Sequence, residues 1–358
     1  MKDLFHEEKE QPSALDAQYK AQRIAFAPII FQAARVLRDL EILRVLHEHR
    51  DGLDIAGLKR ETGVSEYGLE VLLETGMSAD IVHREDSLWF LTKTGWFLLK
   101  DEMTNINMDY NHYVNYRALF HLEDCIAEER PIGLKEFGDW PVIYPGLSSL
   151  PEKVRDSWFR FDHYYSDSAL KEGQSRVLSE KPGNFLEIGG NTGNFSISLA
   201  ESSDDIAISL FDLPEQITLV ERNILEKGLQ DRIATVAGNI LDEEPLSGEW
   251  DLIWMSQFLD CFSKKDVVRI LEKAKAALSR RGRIMIMEPL WDRQRFEASA
   301  YCIINTSPYF TVMANGCSKM YSFADMEWCI NEAGLVISEV VDELGICQSL
   351  IKCESHGE

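Results

Sequence analysis

The stretch Phe185-Leu-Glu-Ile-Gly-Gly-Asn-Thr-Gly-Asn-Phe195 constrains this chain more than any other. It reads as a buried strand ending in an acidic residue, then a glycine turn opening directly into a helix. Such a turn lets a ligand lie against bare backbone at a helix N-terminus, where N–H groups are unpaired. The two standard nucleotide loops can be excluded residue by residue. A Walker loop ends Gly-Lys-Ser/Thr, whereas Gly193 is followed by Asn194 and Phe195. A dinucleotide fingerprint starting at Gly189 needs glycines at 191 and 194, and both are Asn. What remains is Glu-x-Gly-Gly-x-x-Gly.

Glu187 disfavours a phosphate and favours a cationic group. S-adenosylmethionine (SAM) offers two, its ammonium and its sulfonium. An ordinary strand-to-helix turn competes with this reading when the loop is taken alone, but its context is specific. Ile206–Asp212 is a second apolar strand ending in Asp, at roughly the 20-residue offset where a Rossmann-like fold places a carboxylate on ribose hydroxyls. Leu213-Pro214 and a helical stretch from Glu215 to Lys227 follow. Further strands are expected at Ile233–Ala237, Asp251–Met255 and Arg283–Met287. The last helix is expected from Ser322 to Ala333, and Val336–Val341 and Cys347–Cys353 form a terminal antiparallel pair. This alternation predicts an α/β fold with a mixed, mainly parallel, doubly wound sheet of seven strands. Ligands bind at the carboxyl ends of such strands. Glu187, Asp212, Asn239, Asp260 and Glu288 all fall at or just beyond them.

At 358 residues there is room for about two domains. A net charge of −23 argues against nucleic acid or an anionic membrane as partner. Seven scattered cysteines without a Cys-x-x-Cys pair read as reduced residues of a cytoplasmic protein, and Met1–Glu10 lacks the order of a signal peptide. The uncharged run Ala298–Ser318 is too rich in Asn, Pro, Ser, Thr and Gly for a membrane span. In the N-terminal third, Ile29–His49 has helical apolar spacing. Ser65 caps a helix to Thr75, Gly63 and Gly76 mark turns, and His83–Leu91 forms a hairpin. Helix-turn-helix plus hairpin is a winged-helix pattern, which raises a DNA-binding regulator as a rival. The would-be recognition helix carries Glu66, Glu70 and Glu74 and no Lys or Arg, so it would repel phosphates. A structural module is the better reading. The long apolar helices expected at 24–49 and 105–130 suit either pairing of two subunits or packing within one chain.

Taken together, the chain resembles the bacterial and plant small-molecule O-methyltransferases, the caffeate and hydroxyindole type of class I SAM-dependent enzymes. The likeness runs from about Phe26 to the end and rests on the glycine loop, Phe211-Asp-Leu-Pro214, Gly238-Asn239, the 256–263 segment and Glu288. It implies a winged-helix dimerisation domain at 1–108, a helical connector lining the acceptor pocket at 109–175, and a Rossmann-like SAM-binding domain at 176–358. It also implies a homodimer, SAM as cofactor with S-adenosylhomocysteine as product, and no metal. By this resemblance Glu187, Gly189, Gly190 and Gly193 shape the methionine end of the cofactor site. Asp212 would hold the ribose, Leu213 would flank the adenine, and Gly238, Asn239, Ile240, Ser256 and Phe262 would complete the site. Asn191 stands where the family usually has glycine. Asn is among the few other residues that accept a left-handed backbone.

The departure from the family is chemical. Its segment usually reads His-Asp-Trp, the His being the general base, and here it reads Asp260-Cys261-Phe262. A phenol has a pKa of roughly 10 and a free Asp about 4, so full proton transfer would be uphill by roughly 8 kcal/mol. Burial beside Glu288 would narrow that gap. Met320 falls about where a second family carboxylate is expected. Three readings stand: Asp260 as base or orienting acceptor with Glu288 as partner, an acceptor that arrives ionised, or a SAM-binding sensor without methyl transfer. A helix N-terminal acid is the bland account of Asp260. The resemblance implies oxygen as the methylated atom, with carbon and nitrogen left open. The aromatic connector places Phe161, His163, Tyr164 and Tyr165 on the acceptor side, with Tyr309, Met313, Phe310 and Tyr301 opposite, for a flat or hydrophobic small molecule.

Overall fold

The computed structural model describes residues 12–355. These divide into two compact units, one ending at His112 and the other beginning at Tyr113.

The first unit is helical with one small hairpin. It contains α1 (Ala14–Asp39), α2 (Ile42–Glu48), α3 (Ile55–Thr62), α4 (Glu66–Ser78), β1 (Val82–Glu85), β2 (Leu88–Leu91), α5 (Lys93–Lys100) and α6 (Glu102–Tyr110). Leu37, Leu43, Leu46, Leu58, Leu69, Leu73 and Trp89 form its core. Helix, turn, helix and hairpin give the winged-helix order, with Ser65 accepting the Gly68 N–H at the start of α4.

Three expectations need correction. The helix anticipated over 24–49 is two helices, broken where Glu41 takes a left-handed φ of 64°. A continuous helix would follow buried Leu37 with Glu41 and Arg44 on the inner face. The break brings Ile42 and Leu43 inward instead. Gly76 is not a turn but lies inside α4, where a Cβ would meet Leu37 Cδ1 at 2.8 Å, so it permits close approach to α1. The stretch 105–130 is α6, a π turn at Asn111–Asn115, a 3-10 turn at Ala118–His121 and α7 (Leu122–Glu128). Asn105 and Asn111 donate from their side chains to the carbonyls of Asp101 and Asn107, competing with a regular helical ladder.

The second unit continues with α8 (Glu152–Ser166), α9 (Leu170–Glu180), β3 (Asn184–Ile188), α10 (Asn194–Ser202), β4 (Ala207–Asp212), α11 (Pro214–Glu226), β5 (Ile233–Ala237) and β6 (Trp250–Ser256). It ends with α12 (Lys264–Ala276), β7 (Leu278–Glu288), α13 (Glu297–Tyr309), α14 (Phe323–Glu332), β8 (Leu335–Leu344) and β9 (Gln348–Ser355). Among the described residues its sheet has seven strands in the order β5-β4-β3-β6-β7-β9-β8, parallel except where β9 runs against β7 and β8. Side-chain alternation splits the core. Phe185, Leu210, Leu252 and Trp254 face α9, α10 and α11, while Leu186, Ile253 and Ile286 face α12 and α14. The strand order reverses direction between β3 and β6, the crevice where doubly wound sheets bind ligands. No described helix is long and apolar enough to cross a membrane.

Trp254 anchors the first of these faces. It is fully buried, stacks on Phe195 at 4.3 Å, and its indole N–H has no partner. Trp254→Ala should therefore cost about 3–5 kcal/mol in urea unfolding. Trp254→Phe should cost well under half of that, because no hydrogen bond is lost. Equal losses would refute this account of the core.

Candidate functional site

The site grows from three turns at the carboxyl ends of β3, β4 and β6. After β3 the chain passes through Gly189 (φ 79°), Asn191 (φ 51°) and Gly193 (φ 80°), and Gly193 begins α10. At Gly189 a Cβ would strike the Phe258 ring at 2.1 Å, and at Gly190 it would strike Leu210, so larger residues are excluded at both. The Gly189 N–H donates to the Phe211 carbonyl, tying the loop to the end of β4.

Each predicted acid has a definite place. Glu187 is buried and one of its oxygens accepts from both the N–H (3.1 Å) and the hydroxyl of Ser196, in the first turn of α10. Burial pushes its pKa up to about 7 against the pull of those bonds, and the charge of Asp212 adds to the rise. Asp212 accepts from the N–H of Asn191 (2.9 Å) and of Leu213 (2.7 Å), and burial lifts it to about 6. Asp260 lies in a 3-10 turn after β6, 6% exposed, and burial raises it to about 7. The Cys261 thiol donates to it at 3.4 Å and opposes the rise. Glu288 ends β7, with Oε1 accepting from the N–H of Phe258 (2.9 Å) and Leu259 (2.8 Å) and Oε2 without a partner. Desolvation and then the charge of Asp260 hold Glu288 well above the usual carboxylate range. Glu288 thus builds the turn that presents Asp260.

A residue the sequence reading passed over joins these groups. Asp162 of α8 accepts from Asn191 Nδ2 at 3.2 Å, its pKa is raised by burial to about 6, and its charge reaches Asp260. Asp162 and Glu288 are therefore both like charges beside Asp260. Asn315 was also missed. Asn315 donates to the Cys261 carbonyl (2.9 Å) and the Tyr144 hydroxyl (3.3 Å), and Tyr144 lies near Tyr309 and Cys261. An acid inside an aromatic helix and an Asn-Gly turn were the available signals.

The remaining candidates separate into groups. Glu187, Gly189, Gly190, Ser256 and His163 line one cleft with Asp162, Asn191 and Met287. Gly238, Asn239 and Ile240 line a second depression with Phe211 and Trp250. Asn239 is exposed and accepts the Leu241 N–H, and Leu213 precedes α11. Phe262 packs edge-on against Phe258 at 4.8 Å, and its carbonyl accepts from Tyr321. The Tyr165 ring contacts those of Phe161 and Tyr164, and the buried Tyr309 hydroxyl accepts from Trp158 at 2.6 Å. Met313 is fully buried in a π turn, whereas Tyr301 points to solvent. His163 pairs with Asp167 at 3.6 Å, which raises its pKa, and it faces the glycine-loop cleft. Among the described residues no group of three or more side chains is arranged to hold a metal.

The donor set suits a cationic cofactor. Ionising Glu187, Asp162 and Asp212 costs desolvation energy that a nearby cation offsets. Comparison with known proteins agrees. Residues 18–89 match the Dimerisation2-like domain and residues 174–334 match the O-methyltransferase domain. The chain is 22% identical over 315 residues to the L-tyrosine C(3)-methyltransferase of Streptomyces lavendulae, covering 87% of this chain and 85% of that one. It is 24% identical to the demethylspheroidene O-methyltransferase of Cereibacter sphaeroides, covering 73% and 68%. A solved structure of the O-methyltransferase NcsB1, in complex with SAM and 2-hydroxy-5-methyl naphthoic acid, superposes with a TM-score of 0.64 at 17% identity, covering 91% and 96%. The chain thus carries a Dimerisation2-like domain and an O-methyltransferase domain, is a SAM-dependent methyltransferase similar to small-molecule O-methyltransferases, and its cofactor is SAM.

The raised carboxylate pKa values carry a stability consequence with a definite sign. An acid whose folded pKa lies above its unfolded value favours the fold most at low pH and loses that contribution as pH rises through the folded pKa. For Glu187 the window runs from its ordinary value near 4.5 to about 7. Glu187→Gln keeps an acceptor for Ser196 without a charge. Without cofactor, the variant should match the wild type in thermal unfolding at pH 5 and exceed it at pH 8. A difference that does not grow with pH would overturn the assignment.

Proposed function

We propose that this protein moves the SAM methyl group to a hydroxyl oxygen of a small aromatic or hydrophobic molecule, with Asp260 standing where the family usually has His. The first domain would pair two copies of the chain. α1 presents exposed Leu15, Tyr19, Ile24, Phe26 and Ile29 within or beside the span matched to the dimerisation domain, which supports that pairing. Bound SAM supplies an electrophilic methyl on a positive sulfur. The side chains must then orient the acceptor, exclude water and take one proton as the new bond forms and the old C–S bond breaks.

The observation that carries the reading is the environment of Asp260. At a pKa of about 7 it accepts a proton far more readily than a solvated Asp. The gap to a phenol shrinks to about 3 units, roughly 4 kcal/mol. A methyl transfer that proceeds while the proton departs tolerates such a gap. Tyr309 offers a hydroxyl beside it for orientation, and Tyr144 one beside the neighbouring Cys261. The charges converging here are Asp162, Asp260 and Glu288, which favours a neutral hydroxyl acceptor over a carboxylate or other anion. Carbon methylation ortho to a phenol needs the same deprotonation, and a C-methylating relative keeps that variant in view.

The test is transfer of labelled methyl from SAM to a panel of phenols, amines and aromatic carboxylates, with wild type and Asp260→Asn. The proposal expects neutral phenols to be methylated and carboxylates left alone. Asp260→Asn should lower kcat about 100-fold or more, while SAM binding changes little. The wild-type rate should fall on the acidic side of about pH 7 as Asp260 gains its proton. Unchanged turnover in Asp260→Asn would remove it from the chemistry.

A further inference from the structure

We infer that Asp162 is a positioning residue that latches the cofactor loop to α8 through Asn191. At φ 51°, Asn191 occupies backbone space that glycine enters freely and Asn at small cost. Here the side chain is put to use. Asn191 Nδ2 donates to Asp162 Oδ2 at 3.2 Å, while its own N–H donates to Asp212 Oδ2 at 2.9 Å. One loop residue is therefore held from two sides, by the carboxylate ending β4 and by a carboxylate on α8. A glycine at this position would keep the second bond and lose the first.

The latch joins the two halves of the reaction. α8 carries Phe161, Tyr164 and Tyr165, the aromatic cluster of the acceptor side, and Asp162 also lines the glycine-loop cleft. Asp162 faces His163 on its own helix, Asp167 in the turn that follows it, Asp260 across the cleft and Tyr309 of α13. Cofactor binding that orders the loop thereby orders α8, and with it the wall of the acceptor site.

The inference rests on SAM binding at the glycine loop, and it is tested by binding alone, whether or not an acceptor is found. SAM is titrated calorimetrically at pH 7.5 into wild type, Asn191→Gly, Asp162→Ala, Asp162→Asn and the Asn191→Gly/Asp162→Ala double variant. Asn191→Gly and Asp162→Ala should each weaken SAM about 3- to 10-fold. The double variant should be no weaker than the poorer single one, because both remove the same bond. Asp162→Asn keeps an acceptor oxygen and loses only the charge, so it should bind SAM more tightly than Asp162→Ala. Asn191→Gly suits its backbone angle, so it folds even if Asp162→Ala does not. Hydrogen exchange supplies a second readout. SAM should protect amides of residues 152–166 in wild type, and Asn191→Gly should lose that protection while residues 189–194 keep theirs. Additive losses, or wild-type affinity and α8 protection in Asn191→Gly, would overturn the latch.

Discussion

Negative charge forced into a poorly hydrated crevice is the constraint on which the rest of this site depends. Glu187, Asp212, Asp260 and Glu288 stand at or just after strand ends, and Asp162 reaches in from α8. Each is held above its ordinary pKa, and desolvation is the first cause in every case. A fold tolerates such groups when backbone N–H groups solvate them or a cation arrives. Both answers operate here. Ser196, Asn191, Leu213, Phe258 and Leu259 donate backbone N–H bonds, and the cofactor brings positive charge.

Those same bonds build the architecture. Glu187 fixes the start of α10, Asp212 fixes the glycine loop, and Glu288 fixes the turn that carries Asp260. The proposed donor site and the proposed base are thus held by one set of carboxylates. An Asp as the proposed base at position 260 suits this environment. A solvated Asp would be too weak a base for a phenol, but the crevice raises its proton affinity by desolvation.

Much of this was legible in the sequence, because strand-then-turn patterns report where strands end. The glycine loop, Asp212, Asp260 and Glu288 were found that way, and so was the antiparallel pair that closes the sheet. What escaped were meetings between distant segments. Asp162 and Asn191 lie 29 positions apart, and Asn315 and Cys261 lie 54 apart. Periodicity identifies the elements carrying these residues but does not say which polar side chains touch. The break at Glu41 escaped for a different reason. Leu40 kept the apolar pattern running locally, while the inner face shifted phase.

The central claim is that the acids raised furthest, such as Glu187 at about 7, hold protons until the cofactor's positive charge arrives. Proton release on SAM binding measures it directly, by calorimetry at pH 6.5 in buffers of differing ionisation enthalpy. The account predicts release of about one proton or more per SAM bound, diminishing toward pH 8.5 as the carboxylates become ionised beforehand. Binding without proton release at pH 6.5, or with proton uptake, would contradict it.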